Sequence, residues 1–284
     1  MTAPLVLVTG ASGNIGSKLV NELLDVDANV RVFVRDPAKS AHLDGRVQVA
    51  VGDFQNAPTV ASALEGVDRA FLLAVDPKHE ADFIEAAKVA GVSQLVQLSS
   101  GGVPFGVGSG PLHTPGEHLL KESGLNWTIL RPWEYMSNSF HWLETIRSQS
   151  SIFEPTGQGK IAPIDPADIS AVAARVLTSG GHEVRTYELT GQQLLNRNEM
   201  AELISAAIGR TVHFVDIPSE TYKEQLVKMG MPEMFVEPVA GFYRMVNEGK
   251  LAIIHPDVEN LLGRKARTYE QWLSVNAKAF EPQD

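Results

Sequence analysis

The sequence predicts an α/β fold: a doubly wound parallel sheet with a smaller, mostly helical C-terminal part. In the first half of the 284 residues, short apolar runs alternate with segments whose apolar residues recur at helical spacing. Several runs are almost continuously apolar, as expected for strands that are buried on both faces of a parallel sheet. Alternation of this kind indicates right-handed crossovers between parallel strands.

Seven apolar runs are the predicted strands, over residues 5–9, 30–34, 47–51, 70–75, 95–99, 127–131 and 186–191. Between them, apolar residues at positions 15, 19 and 23 indicate a first helix, and "PTVASALEG" and "EADFIEAAKVAG" end in the glycine that commonly follows a helix. Asp165 is a suitable N-cap with Pro166 at the first helical position. Residues 196–284 are predicted to be mostly helical. We expect 1–131, with 161–191 returning to it, to form the nucleotide-binding domain, and 132–160 with 192–284 to form a substrate-binding part, with the ligand site in a cleft between them.

Composition narrows the function further. The chain has no cysteine, which excludes disulfides, thiolate zinc sites and a cysteine nucleophile, and we predict no metal site. The net charge of -10, with scattered basic residues, argues against direct nucleic-acid binding. The sequence shows neither a leader peptide nor an apolar stretch of membrane-spanning length, so we expect a cytoplasmic protein that makes no membrane contact. Its oligomeric state cannot be read from the sequence.

The strongest motif is "VTGASGNIGSKLV", in which Gly10, Gly13 and Gly16 follow a predicted strand and open an amphipathic helix. In that context Gly10 permits a tight turn, Gly13 lets the backbone approach a pyrophosphate, and Gly16 allows close packing of helix on strand. The helix N-terminus then faces the phosphates. The residues beside the glycines that we assign to the same cofactor site are Thr9, Ser12, Asn14 and Ile15.

The end of the second strand bears on the choice between NADP(H) and NAD(H). Arg35 follows the apolar run directly, and a basic residue there favours the 2′-phosphate of NADP(H). The alternative is that Arg35 is a solvated charge and Asp36 binds the ribose of NAD(H). We predict a preference for NADP(H).

Three later strand ends extend this site. Asp53 and Phe54 follow the third strand and are assigned to the adenine, although Asp53 as a plain turn residue is an alternative. Ala74 and Val75 end the fourth strand, and Ser99 ends the fifth. All lie where ligands bind in open α/β sheets, beyond the carboxyl ends of the strands.

The chain resembles the NmrA-like family of atypical short-chain dehydrogenases/reductases, in the branch with triphenylmethane reductase and NAD(P)H:quinone oxidoreductase-like proteins. The matching stretches include "TGASGNIG", "VRDPAK", "GDF", "HLLKESGLNWTILRP", "IDPADISAVAARVL" and "YELTG". The resemblance implies NAD(P)(H) binding in a Rossmann domain. It leaves activity open, because the family contains both reductases of small molecules and a non-catalytic redox-sensing partner of a transcription factor.

In many short-chain dehydrogenases a Tyr, with a Lys four residues later, moves the substrate proton, and none of the five tyrosines here has that Lys. The matching places hold His113 and Glu117. A helix would put both on one face, where Glu117 would orient His113 as a general acid. The alternative is a helix-surface pair, and Pro115 and Gly116 indicate a frayed or late-starting helix.

Two regions are predicted to form a substrate pocket. The first is the glycine-rich loop 99–111, which carries Phe105. The second follows the sixth strand and carries Trp133, Tyr135 and Phe140, an aromatic density that suits a flat conjugated ligand. Tyr135 is the alternative proton donor. An alternative use of these aromatics is to seal the two parts of the chain together.

These observations favour an NADPH-dependent reductase of a conjugated small molecule such as a quinone. Such an acceptor delocalises the incoming electrons itself and needs a positioned acid less than a simple ketone does. Two alternatives stay open: a non-catalytic NADP(H) sensor with a protein partner, and a biosynthetic ketone or imine reductase.

Overall fold

The computed structural model describes residues 4–43, 45–74 and 76–281. The strands are β1 (Leu5–Thr9), β2 (Asn29–Val34), β3 (Gln48–Val51), β4 (Arg69–Leu72), β5 (Gln94–Leu98), β6 (Trp127–Pro132), β7 (Ser151–Glu154), β8 (Arg185–Leu189) and β9 (His213–Asp216). The helices are α1 (Gly16–Asp25), α2 (Ala57–Leu64), α3 (Pro77–Val89), α4 (Gly110–Glu122), α5 (Leu143–Gln149), α6 (Pro166–Thr178), α7 (Arg197–Ile208), α8 (Ser219–Lys228), α9 (Glu233–Asn247), α10 (Asp257–Leu262) and α11 (Tyr269–Asn276). Short 3₁₀ segments occupy Pro37–Leu43, Val103–Phe105, Met136–Trp142 and Ala277–Phe280.

The chain divides into two compact units, each built from separate segments. Unit 1 contains residues up to 100, 112–131 and 166–188, and unit 2 contains 101–111, 132–165 and the residues from 189 onward. None of the helices in the described ranges has the length and apolar composition needed to cross a bilayer.

Unit 1 holds a seven-stranded sheet in the order β3-β2-β1-β4-β5-β6-β8. The first six strands pair in parallel, for example Val6 beside Val30 on one side and beside Arg69 on the other. The strand order reverses between β1 and β4, which creates the switch point where such sheets bind ligands. The predicted Rossmann-type α/β fold is therefore confirmed.

The strands form where the apolar runs predicted them because both faces of the sheet are covered. All five residues of β1 and all five of β5 are buried. One face packs against α2 and α3 through a core that includes Leu7, Val60 and Phe83. On the other side, the Ser170 hydroxyl of α6 donates to the carbonyl of Ile15 over 3.0 Å.

Unit 2 is mostly helical, with one short parallel ribbon formed by β7 and β9. Its core is rich in aromatic residues, among them Trp142, Tyr269 and Trp272. Helices α8, α9 and α10 each begin directly after a proline. Pro238, by contrast, lies inside α9.

Candidate functional site

The glycine loop joins β1 to α1 in a compact turn. Gly10 has φ = 63°, a left-handed conformation that residues with a side chain rarely adopt. The N–H of Gly13 donates to the Gly10 carbonyl over 2.9 Å and closes the turn. Gly16 packs so closely on the turn that a Cβ there would lie 2.2 Å from the Gly10 carbonyl oxygen. The turn leaves Ser12, Gly13 and Asn14 exposed beside the N-terminus of α1, where free helix N–H groups attract anions.

Two of the predicted loop residues have side chains that face the interior. Thr9 is fully buried; its hydroxyl donates to the Phe71 carbonyl over 3.0 Å and accepts from the Leu73 N–H over 2.8 Å. These bonds tie β1 to β4 at the switch point. The Ile15 side chain is also buried. Thr9 and Ile15 therefore support the loop from behind.

The ends of β2 and β3 carry the residues assigned to the adenosine half. Arg35 and Asp36 are both exposed, and Asp36 Oδ1 accepts from the Ala38 N–H over 3.0 Å. Asp53 Oδ1 accepts from the Gln55 N–H over 2.9 Å in a local turn. The Phe54 ring packs on the core and lies parallel to His79, with the centroids 6.0 Å apart.

The ends of β4 and β5 are buried. Ala74 is 7% exposed and Ser99 is 2% exposed, whereas Val75 lies outside the described residues. The Ser99 hydroxyl donates to Glu117 Oε1 over 2.6 Å and links the end of β5 to α4.

Glu117 is the centre of a buried polar cluster. Besides Ser99, its carboxylate accepts from Arg131 Nε at 2.8 Å and Nη2 at 2.6 Å, and from Lys121 Nζ at 2.9 Å. Burial by itself favours the neutral acid, but these hydrogen bonds outweigh it and hold the pKa of Glu117 below its usual value. The prediction that Glu117 orients His113 is therefore wrong. The side chains that donate to the Glu117 carboxylate are Ser99, Arg131 and Lys121, and His113 is not one of them.

His113 instead faces a carboxylate on another helix. Its Nδ1 lies 3.8 Å from Oε1 of Glu80 in α3, and Gln97 Nε2 of β5 donates to the same oxygen over 3.1 Å. Helix α4 begins at Gly110 and continues through Pro115, so the expectation of a frayed start was also wrong. Gly116 has a packing reason: a Cβ there would lie 1.8 Å from Glu80 Oε2.

In unit 2, three aromatic side chains form what we call the aromatic surface: Phe105, Trp133 and His255. The rings of Trp133 and His255 stack with 6.2 Å between centroids and 12° between planes. The Phe105 ring lies 6.0 Å from that of Trp133 and is 52% exposed. The His255 N–H donates to Thr190 Oγ1 over 2.9 Å, which fixes the backbone at this position.

The other two aromatic candidates of unit 2 have different surroundings. Tyr135 is half-buried, and desolvation raises the pKa of its hydroxyl, so it keeps its proton at neutral pH. Phe140 packs on Trp272 and Phe280, with ring centroids 5.3 and 5.8 Å away, as part of the hydrophobic core.

Unit 2 also contains a buried ionic cluster. Arg197 is 1% exposed and donates from Nε to Glu154 Oε2 over 2.6 Å and from Nη2 to Glu134 Oε1 over 2.7 Å. Trp142 Nε1 donates to Glu154 Oε1 over 2.7 Å. Burial, followed by repulsion from Glu154, raises the pKa of Glu134 even though Arg197 opposes the shift.

Sequence reasoning missed Glu80, Gln97, Arg197 and His255. Each contacts its partners across long stretches of chain, and a single charged or polar residue on a helix or strand gives no periodic signal of burial. The one local signal was Gly116, whose absent side chain makes room for the Glu80 carboxylate.

The similarity to known proteins extends over nearly the whole chain. Residues 10–180 match the family model described as NAD(P)H-binding. An NAD(P)H azoreductase of Xenophilus azovorans is 36% identical, over 97% of this chain and 99% of its own. The NADPH complex of the quinone oxidoreductase QOR2 of Escherichia coli superposes with a TM-score of 0.86 at 25% identity, covering 95% of this chain and 99% of that one.

The predicted resemblance is confirmed by these matches and by a further structure. Triphenylmethane reductase of Citrobacter sp., complexed with NADP(H), has the same fold, with a TM-score of 0.81 at 24% identity over 96% of this chain and 99% of that one. On the family match and the extent of identity to the azoreductase, the chain belongs to the NAD(P)H-binding family.

Proposed function

We propose that the chain is an NADPH-dependent reductase that transfers hydride to flat, conjugated acceptors such as quinones and azo or cationic dyes. The observation that carries this is the glycine loop, in which Gly10, Gly13 and Gly16 form a compact turn at the start of α1. Membership of the NAD(P)H-binding family and the similarity to an azoreductase and a quinone oxidoreductase support the class of reaction.

The aromatic surface supports the class of acceptor. Phe105 is 52% exposed and Trp133 is half-buried, with its ring stacked on that of His255. Aromatic faces of this kind bind planar ligands by offset stacking and apolar burial. Of the predicted substrate residues, Phe105, Trp133 and Tyr135 remain in this proposal, whereas Phe140 is assigned to the core.

The absence of a Tyr–Lys pair agrees with this chemistry. Reduction of a simple ketone builds an alkoxide that needs a positioned acid, whereas a quinone or dye spreads the added electrons over its π system. When bound, the cofactor supplies the hydride. The protein binds cofactor and acceptor, orients them and excludes water.

The preference for NADP(H) is part of the proposal and rests on Arg35. Its exposed guanidinium stands at the end of β2, where the 2′ position of the ribose lies in folds of this type. A guanidinium binds a phosphate through paired, charge-assisted hydrogen bonds. Asp36 already accepts a hydrogen bond from the Ala38 N–H, which ties one of its oxygens to the turn.

The test is oxidation of NADPH by the purified protein with a panel of quinones, azo dyes, cationic triphenylmethane dyes and simple ketones. We expect turnover with the conjugated acceptors, slower or no turnover with the ketones, and a higher kcat/KM for NADPH than for NADH. Tight NADPH binding without turnover on the whole panel would contradict the enzyme and favour the sensor alternative.

The matched control is Gly13→Ala, because its Cβ would lie 3.3 Å from the nearest protein atom and does not crowd the fold severely. It would obstruct the pyrophosphate. Loss of NADPH oxidation in this variant shows that the activity belongs to the loop and not to a contaminant.

A further inference from the structure

Three buried polar atoms without a hydrogen-bond partner belong to one cluster in unit 1: Glu80 Oε2, Gln97 Oε1 and His113 Nδ1. Glu80 and Gln97 are fully buried, and His113 is 6% exposed. Gln97 Nε2 donates to Glu80 Oε1 over 3.1 Å, and His113 Nδ1 lies 3.8 Å from the same oxygen. We call these three side chains the Glu80 cluster.

The surroundings of Glu80 make His113 its natural counter-charge. A buried carboxylate is strongly disfavoured unless it is hydrogen-bonded and paired with a cation. Gln97 supplies a neutral donor from β5, and His113 is the titratable group of α4 that contacts Glu80. Glu117, on the same helix, is already satisfied by Ser99, Arg131 and Lys121.

The backbone is shaped for this pairing. Helix α4 passes directly over the Glu80 carboxylate at Gly116, where a Cβ would lie 1.8 Å from Glu80 Oε2 and 2.7 Å from Gln97 Nε2. Any side chain at position 116 would push the carboxylate out of its place. The helix therefore brings His113 within ion-pair range of Glu80.

The cluster also lies at the carboxyl end of β5, one of the strand ends at which we predict the cofactor site. Gln97 is in β5, two residues before Ser99, and Ser99 is joined to α4 through its bond with Glu117. Ligands of open α/β sheets bind beyond these carboxyl ends. Since Nδ1 of His113 faces Glu80, Nε2 is the nitrogen left for a ligand.

We propose that Glu80, held by Gln97, is a positioning residue that orients the His113 ring through Nδ1, and that His113 Nε2 is the proton donor in the reduction of neutral acceptors. This rests on the proposed function. The 3.8 Å separation is longer than a hydrogen bond, and catalytic contacts of this length often tighten only in the substrate complex. A carboxylate beside one ring nitrogen sets the orientation of an imidazole, as in other carboxylate–histidine pairs.

The reaction balances for a neutral azo acceptor. Hydride from the reduced nicotinamide adds to one nitrogen of the N=N bond, the π bond breaks, and the electron pair moves to the second nitrogen. The proton on His113 Nε2 passes to that nitrogen and gives the hydrazine. The cofactor leaves oxidised, and solvent reprotonates the imidazole. A cationic triphenylmethane dye differs, because hydride addition to its central carbon gives the neutral product without any proton.

This difference provides the experiment. The kcat/KM values for an azo dye and for a cationic triphenylmethane dye are measured in wild type, His113→Gln and Glu80→Gln, each checked for NADPH binding and circular dichroism. We expect the azo-to-cation ratio to fall about 100-fold in His113→Gln, the lower end of the range for general acid catalysis. The matched controls are His118→Gln and Glu122→Gln, an exposed His–Glu pair on the same helix, which should leave the ratio unchanged.

The Glu80 variants separate positioning from mere structure. Glu80→Gln keeps the shape of the side chain but removes its charge, so we expect its azo-to-cation ratio to fall in the same direction as in His113→Gln while NADPH binding and circular dichroism stay unchanged. Glu80→Asp retains the carboxylate, drawn back by one methylene, and should lose less of the ratio. If Glu80→Gln does not fold, Glu80→Asp measured against wild type gives the smaller fall with the same sign.

An unchanged azo-to-cation ratio in His113→Gln, or in Glu80→Gln, overturns the inference while leaving the reductase intact. A wild type that binds NADPH but reduces neither dye overturns the proposed function, and the inference with it.

Discussion

The ionic cluster of unit 2 gives a prediction about stability whose size follows from the structure. Arg197→Met removes the guanidinium that holds Glu134 and Glu154, and both carboxylates then stay buried with no cation. Removing one partner of a buried ion pair costs about 3–5 kcal/mol, because the remaining charge is uncompensated. We therefore expect the free energy of unfolding of this variant to fall by about that amount at neutral pH.

The measurement is equilibrium urea unfolding followed by tryptophan fluorescence, since Trp133, Trp142 and Trp272 lie in unit 2. Burial already raises the pKa of Glu134, and loss of the guanidinium removes the attraction that opposes this shift. A raised carboxyl pKa stabilises the folded state below the unfolded pKa, and this contribution is lost as pH rises through the folded pKa. The difference between Arg197→Met and wild type should therefore shrink in acid.

A matched control replaces all three charges at once. In the variant Arg197→Met with Glu134→Gln and Glu154→Gln no charge is left to bury, so most of the lost stability should return. The reasoning is refuted if Arg197→Met loses less than about 1 kcal/mol, or if the neutralised variant is no more stable than Arg197→Met.

Three further predictions concern unit 1. Gly16→Ala should lower stability by about 1–3 kcal/mol in thermal unfolding, because its Cβ would lie 2.2 Å from the Gly10 carbonyl oxygen. Gly13→Ala, by contrast, should weaken NADPH binding with little change in stability. Equal melting temperatures for the two variants would contradict this. Arg35→Ala should raise the Kd for NADPH about tenfold or more and leave that for NADH unchanged, as loss of a charge-assisted hydrogen bond predicts; equal loss for both cofactors in a fluorescence titration would exclude the role of Arg35. Glu117→Gln should cost roughly 1–3 kcal/mol at neutral pH. Because the pKa of Glu117 is lowered, its contribution is present above the unfolded pKa and lost as pH falls through the folded one, so urea midpoints of variant and wild type should converge in acid.

The order of elements in unit 1 could be predicted because its strands are covered on both faces. A run such as Leu5–Thr9 is buried at every position, so burial leaves a continuous apolar signature. The start of α6 could also be predicted, because Pro166 is the first residue of the helix, as its capping pattern indicated. β9 was missed because His213–Asp216 is short and mostly exposed, so it has no alternating apolar pattern.

The candidate site was only partly predictable, for a different physical reason. A glycine loop is local, so Gly10 and Gly16 could be placed from spacing alone. Electrostatic partners are not local. We predicted that Glu117 pairs with His113 because they share a helix face, yet Glu117 forms its ion pair with Arg131, and His113 lies beside Glu80. Helical spacing shows which residues are neighbours on one helix, but not which side chain of another element reaches them.

The segmented build of unit 1 has a consequence for how the protein is made on the ribosome. The glycine loop is synthesised first, yet the hydroxyl that bonds the Ile15 carbonyl behind it belongs to Ser170, and β8, which covers the outer edge of β6, comes later still. A nascent chain that ends at Arg131 has every glycine of the loop but an open sheet edge, which is prone to pair with other chains. Unit 1 is therefore completed late in synthesis, after segments of unit 2 have already emerged.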